Sequence, residues 1–266
     1  MIRKILLAGV VLCIGVMFFL NDRKEEKLSG ISATDPEFSA LWENFIKNDV
    51  LPKNTFDEQM RYRLILASNI ATQSFGLYEN TVQEALDKGL PATEIKEILY
   101  QSVPYVGYGK AFDFILVTNE IFKERGIDLP LKGQSTTTSE QRFSKGLALQ
   151  TGIFGNVIAE GFKSAPKDEL HIREYLSSNC FGDYYTRGGL GLKTRELLTF
   201  VMLVSMGGAD SQVKSHVQGN VNIGNGRDVL ISAITQILPY IGYPRSLNGL
   251  AAVDAIVPPQ NSGENK

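Results

Sequence analysis

The chain has 266 residues, 43% of them apolar, enough to bury one large hydrophobic core or two smaller ones, and this excludes a disordered chain. Its 27 basic and 29 acidic residues nearly cancel, to a net charge of -2, and are spread along the sequence. There is no basic stripe of the kind that phosphate backbones demand, so nucleic acid is not expected as a partner.

Residues 1–20 have the layout of an export signal, with Arg3 and Lys4 ahead of an unbroken apolar run over residues 5–20. As a helix that run spans roughly 24 Å against a bilayer core of about 30 Å, so its length fits a cleaved signal and an uncleaved anchor alike. Asn21, Asp22 and Arg23 follow in place of a small-x-small cleavage pattern, which favours an anchor holding the protein to a membrane. The expected location is outside the cytoplasm, periplasmic or membrane-anchored. Val11 and Leu12 stand where lipoprotein processing at Cys13 would require small residues. Beyond Cys13 only Cys180 remains, so the folded part can form no internal disulfide, no Cys-x-x-Cys pair and no multi-cysteine metal site.

Residues 22–33 have the composition of a spacer, and residues 1–30 together form the signal or anchor and spacer ahead of the first unit. From residue 31 onward the apolar positions recur at intervals of three and four, as in Leu64, Ile65, Ala67, Ile70 and Ala71, and strand-like alternation is absent; the predicted fold class is all-α. Gly89 stands where a helix needs a left-handed closing residue, and the next helix is expected to begin near Pro91. Val103-Pro104 should end or kink that helix, Gly107 should turn the chain, and residues 110–125 should form a last helix. A first unit over residues 31–131 is followed by a polar, aperiodic linker over residues 132–139.

The remainder repeats what came before. At an offset of 135 residues, Gln101-Ser102-Val103-Pro104-Tyr105-Val106-Gly107-Tyr108 faces Gln236-Ile237-Leu238-Pro239-Tyr240-Ile241-Gly242-Tyr243, and without a gap Gly89 faces Gly224 and Val82 faces Val217. The second unit, residues 140–258, therefore repeats the first; its helices should start near Asn225 and break near Pro239, and residues 245–256 should form its last helix. Residues 259–266 read as a frayed tail.

The string Gly182-Asp183-Tyr184-Tyr185-Thr186-Arg187-Gly188-Gly189-Leu190, then Leu192-Lys193-Thr194-Arg195-Glu196-Leu197-Leu198-Thr199, then His216 and Pro239-Tyr240-Ile241-Gly242-Tyr243-Pro244, resembles the carboxymuconolactone decarboxylase family. The resemblance is strong over residues 175–256 and weaker, through the repeat, over residues 58–124. It implies two tandem helical units of the alkylhydroperoxidase D type and assembly into homo-oligomers, as trimers or hexamers. The family's peroxidase branch works through a Cys-x-x-Cys pair. In the helix before His216, Ser205-Met206-Gly207-Gly208-Ala209-Asp210 carries no thiol, so peroxidase chemistry of that kind is disfavoured.

The decarboxylase branch needs no cysteine, and its likeness implies a lyase acting on a small carboxylated lactone or related cyclic acid. Removing carbon dioxide calls for a cation to hold a carboxylate and an acid to deliver a proton to carbon. His216 is the candidate acid, with Glu196 as its partner; Arg195 and Arg187 are the candidate carboxylate anchors, since a guanidinium fork matches a carboxylate. Glu196 and His216 lie on successive helices joined near Gly207-Gly208, a connection that permits them to meet. Tyr240 is a candidate pocket hydroxyl, although the Pro-Tyr-x-Gly turn also accounts for it, like Tyr105, as a packing anchor. Cys180 reads as a buried small hydrophobe and His171 as a surface residue.

No metal and no organic cofactor is implied, because two histidines make no metal site and no Gly-x-Gly-x-x-Gly follows a strand. At the 135-residue offset Glu196 faces Arg61, His216 faces Thr81 and Arg195 faces Met60, so the first copy lacks the candidate groups and is expected to supply wall to a site near the interface of the copies. A non-catalytic envelope binding or scaffold protein of the same fold is the competing reading, since an export segment is unusual for such a lyase.

Overall fold

Helices, most of them joined by short turns, make up most of residues 31–259, the part of the chain that this computed structural model describes, and no strand occurs among them. The expected export segment, with Cys13, and the tail beyond Pro259 lie outside the described residues. Among the described residues no helix is long and apolar enough to cross a membrane.

The described residues up to Lys53 form a unit of their own. In it, α1 (Pro36–Asn44) starts on a proline whose missing N–H costs nothing in the first turn, followed by an acidic Glu37 that suits the positive end of the helix. It runs on into a π-helical stretch, Phe45–Val50, and a 3-10 turn, Leu51–Lys53.

From Asn54 the chain is a second unit that spans both repeats. The first repeat contributes α2 (Glu58–Thr72), α3 (Phe75–Asp87), α4 (Ala92–Val106) and α5 (Tyr108–Glu124). Helix α2 is capped by Asp57, whose carboxylate accepts from the Met60 backbone N–H at 2.6 Å. Then come α6 (Arg142–Phe154), α7 (Val157–Ser164), α8 (Leu170–Tyr175) and a π-helical segment, Leu176–Tyr185. The second repeat closes with α9 (Leu192–Met206), α10 (Asp210–Asn222) and α11 (Arg227–Ile256).

The duplication is present in three dimensions. Helix α10 begins and ends 135 residues after α3, and the closing glycines Gly89 and Gly224 both take the left-handed conformation, at φ 76° and 88°. One expectation needs correction. Pro104 and Pro239 do not end their helices; Pro104 lies inside α4, and the break comes at Gly107 and Gly242, where φ of 86° and 74° excludes an ordinary side chain. Helix α11 starts after Gly226, close to the expected Asn225, whose amide donates to the Lys193 carbonyl and to Asn220 Oδ1.

The core of this unit forms where α2 crosses α9, with Leu64, Leu66 and Ile70 packed into the same cluster as Leu198, Phe200 and Val201. Around that crossing the repeats exchange partners: α4 of the first packs on α9 of the second, and α11 of the second packs on α2 of the first. Polar bridges mark the exchange, Ser68 Oγ to Ser205 Oγ at 3.1 Å and Thr55 Oγ1 to Ser232 Oγ at 2.8 Å. The linker docks along residues 182–188, with Gly188 N–H donating to the Gln134 carbonyl at 2.9 Å.

Helix α6 packs against the π-helical segment through two glycines. A Cβ on Gly146 would lie 1.9 Å from the Ser177 carbonyl oxygen, and one on Gly182 would lie 2.0 Å from that of Arg142, so neither position admits a side chain.

Candidate active site

Two glycines in the left-handed conformation, Gly207 and Gly208 at φ 71° and 69°, reverse the chain between α9 and α10. The reversal sets Glu196 on the first turns of α9 opposite His216 on α10, with His216 Nδ1 2.6 Å from Glu196 Oε1. The carboxylate is fully buried, and Tyr185 from the π-helical segment donates to its second oxygen at 2.7 Å. Tyr185 also shares a 2.6 Å hydrogen bond with Thr199. Asn220 donates to the backbone carbonyls of both Glu196 and His216, tying the two helices together at the dyad.

Space for the carboxylate is made by Gly219, one turn after His216. A Cβ there would lie 2.4 Å from Glu196 Oε1 and 2.7 Å from the Phe154 ring.

With Glu196 as a carboxylate, which can only accept, the shared proton sits on Nδ1 of His216 and Nε2 is left for exchange with a ligand. The imidazole is held edge-on between Phe154, at 5.3 Å between ring centres, and Tyr105, at 6.1 Å. It lies on the wall of a cavity of about 890 Å³. Most of that wall is apolar, and much of it comes from α6, α7 and the π-helical segment.

The surrounding hydroxyls and thiol stay protonated. Burial pushes Tyr105 and Tyr185 well above the ordinary tyrosine value, and the Glu196 charge raises both further. Burial likewise pushes the Cys180 thiol up to about 12, with Tyr105 Oη 3.5 Å from its sulfur. Cys180 is therefore the buried, inert side chain expected of it, and His171 is exposed, edge-on to Tyr175.

The arginines lie elsewhere than expected. Arg195 is 1% exposed and its guanidinium is engaged by Glu97 at 3.0 Å, by Gln101 Oε1 at 2.8 Å and by the carbonyls of Arg187 and Gly188. Arg187 makes a bidentate pair with the same Glu97, at 2.9 and 2.8 Å, and its guanidinium lies over the Tyr100 ring. Neither is among the residues lining the cavity, and both guanidiniums are engaged by a carboxylate of the first repeat.

Tyr240 is also displaced from the dyad. It feels the charges of Arg61 and Glu84 in the first repeat, while its counterpart Tyr105 lines the cavity beside His216. The exchange of α4 and α11 between repeats is the reason, and it means that the first repeat supplies Tyr105, Glu97 and Gln101 as well as wall. The Gln101 amide donates to the Arg195 carbonyl at 2.7 Å and to Thr199 at 3.0 Å, which extends the network to Tyr185 and Glu196.

A cation that sequence reasoning missed is Arg173, on the short helix α8. It lines the cavity with its guanidinium against Gly161 of α7, and no carboxylate pairs with it among the described residues. Lys214, two positions before His216 on α10, also contributes to the lining. Nothing in the local sequence around Arg173 marks it. Among the described residues no group of three or more His, Cys, Asp and Glu could hold a metal ion.

Comparison with known proteins bears on this geometry. The model of the carboxymuconolactone decarboxylase family matches residues 36–120 and again residues 172–255. The chain is also similar to the 4-carboxymuconolactone decarboxylase of Acinetobacter baylyi, with 29% identity over 108 residues, 40% of this chain and 80% of that protein. Helices α6 and α7, which wall the cavity, fall between the two matched stretches.

Proposed function

The chain belongs to the carboxymuconolactone decarboxylase family as a member with two tandem units, and from that premise we propose that it is a carboxy-lyase in which His216 delivers the proton that replaces carbon dioxide. The observation that carries the proposal is the dyad itself: a histidine on the wall of an apolar cavity, with its rear nitrogen fixed by a fully buried carboxylate.

The chemistry then runs in two movements. The bond between the carboxylate carbon and its neighbour breaks, carbon dioxide leaves, and the electron pair passes into an adjoining carbonyl of the substrate, such as that of a lactone. The Nε2–H of His216 then gives its proton to that carbon, so that carboxylate and proton become carbon dioxide and a new C–H bond. Glu196 stabilises the imidazolium before transfer and keeps the ring aimed, while Tyr185 holds Glu196. The apolar wall favours loss of the charged carboxylate as neutral carbon dioxide.

The apolar run over residues 5–20 supports placing this chemistry outside the cytoplasm. The test is release of carbon dioxide from carboxylated lactones and 3-oxo acids, with and without alkyl or aryl substituents, by the wild type and by His216→Gln. Release that the substitution lowers at least a hundredfold supports the lyase; no release from any of them returns the chain to a binding or scaffold role.

A further inference from the structure

A small carboxylated lactone would fill only part of this cavity, whose wall is mostly apolar. At about 890 Å³ it lies at the upper end of the roughly 300–1,000 Å³ that sites for drug-sized ligands occupy. Its wall includes Phe154, Ile158, Phe162, Leu176, Leu203 and Met206. Phe154, Ile158 and Phe162 come from α6 and α7, between the two stretches matched by the family model. The apolar surface continues outward, with Val157 on the same wall 65% exposed. At its edge stands the exposed guanidinium of Arg173, which no carboxylate of the described residues neutralises.

We infer that the substrate is an acid with a bulky apolar body, whose carboxylate is drawn by Arg173 and whose body fills the pocket between α6, α7 and α9. This rests on the lyase reading for the fate of the acid, but not for its binding. Apolar area removed from water is the driving force, so affinity grows with the length of the body; a small dicarboxylate would leave most of the wall wet.

Isothermal titration of the full chain with unreactive straight-chain carboxylates, from butanoate to dodecanoate, reads this directly. Each added methylene is expected to tighten binding about two- to fourfold until the pocket is full. Arg173→Gln should weaken the acids at least fivefold and leave the matching alcohols unchanged. Ile158→Asp, checked for folding by circular dichroism, should flatten the dependence on chain length, and His216→Gln should keep it. Affinity indifferent to chain length, or a small dicarboxylate such as succinate binding tighter than decanoate, overturns the inference. Acids that bind no more weakly to Arg173→Gln overturn the role of Arg173. If the dependence holds while no carbon dioxide is released from any activated acid, the lyase reading falls and this one stands.

Discussion

Glu97 and Arg195 form a buried ion pair across the two repeats, Oε2 to Nη2 at 3.0 Å, with each side chain 1% exposed. Arg187 binds the same carboxylate from its other side, so one acid of the first repeat holds two cations of the second. Burial lowers the Arg195 value and the Glu97 hydrogen bond works against it. Removing the acid strands a guanidinium in a dry site. Glu97→Ala is therefore expected to cost about 3–5 kcal/mol of stability, whereas Arg187→Ala, which removes a partly exposed partner, should cost about half of that or less. Midpoints of urea unfolding check both.

The exchange of helices between repeats gives two equivalent tyrosines different positions, and only Tyr105 lies beside His216. Tyr105→Phe is expected to change turnover or its pH profile by about threefold or more, and Tyr240→Phe to leave both unchanged. Steady-state rates between pH 5 and 9 separate the two variants. The contrary ranking would mean that the copies are self-contained.

Gly219 is the space in which Glu196 stands, since a methyl group there would sit 2.4 Å from Oε1. Gly219→Ala should displace the carboxylate, costing about 1–3 kcal/mol in overpacking and breaking its hold on His216. The imidazole ¹⁵N resonances, which report the Nδ1 hydrogen bond, should move in this variant and in Glu196→Gln but not in Cys180→Ser.

Cys180 lines the cavity, yet burial pushes its thiol up from the ordinary 9.0 to about 12, helped by the charge of Glu196 and opposed by the Tyr105 hydrogen bond. A group raised on folding contributes stability that is complete below its unfolded value and is lost as pH climbs through the folded one. The contribution of Cys180 is thus expected to hold up to pH 9 and to fade between pH 9 and about 12. Iodoacetamide at pH 8 should leave Cys180 unmodified in the folded protein and label it in urea, as read by mass spectrometry. Labelling of the folded protein would revive thiol chemistry.

What the sequence makes legible here is whatever depends on local spacing. Helix periods, the glycine closures at Gly89 and Gly224 and the meeting of Glu196 with His216 each depend on residues within one or two helices, and the repeat offset shows because the same local pattern recurs 135 residues on. The misreadings share a physical cause. Arg195 looks like a free anchor because its acid, Glu97, is 98 positions away on the other repeat, and no local pattern announces that pairing. Tyr240 looks like the site tyrosine because the repeat aligns it with the motif, while the crossing of α4 and α11 hands that place to Tyr105. Phe154 and Phe162 lie between the two stretches matched by the family model, and Arg173 lies upstream of the motif string and faces Phe38 at the repeat offset, so neither the repeat nor the motif string marks them. The prolines of α4 and α11 look like stops, but a positive φ breaks a helix more decisively than a missing donor near its end.

The central claim is that His216 hands a proton to carbon. Run in D₂O with an acid that the wild type decarboxylates, the reaction should leave one deuterium, on one face of the carbon that lost carbon dioxide, and His216→Gln should bind the acid within about threefold of wild type while forming product at least a hundredfold more slowly. Deuterium spread over both faces, or product formed by His216→Gln at an undiminished rate, would contradict the claim.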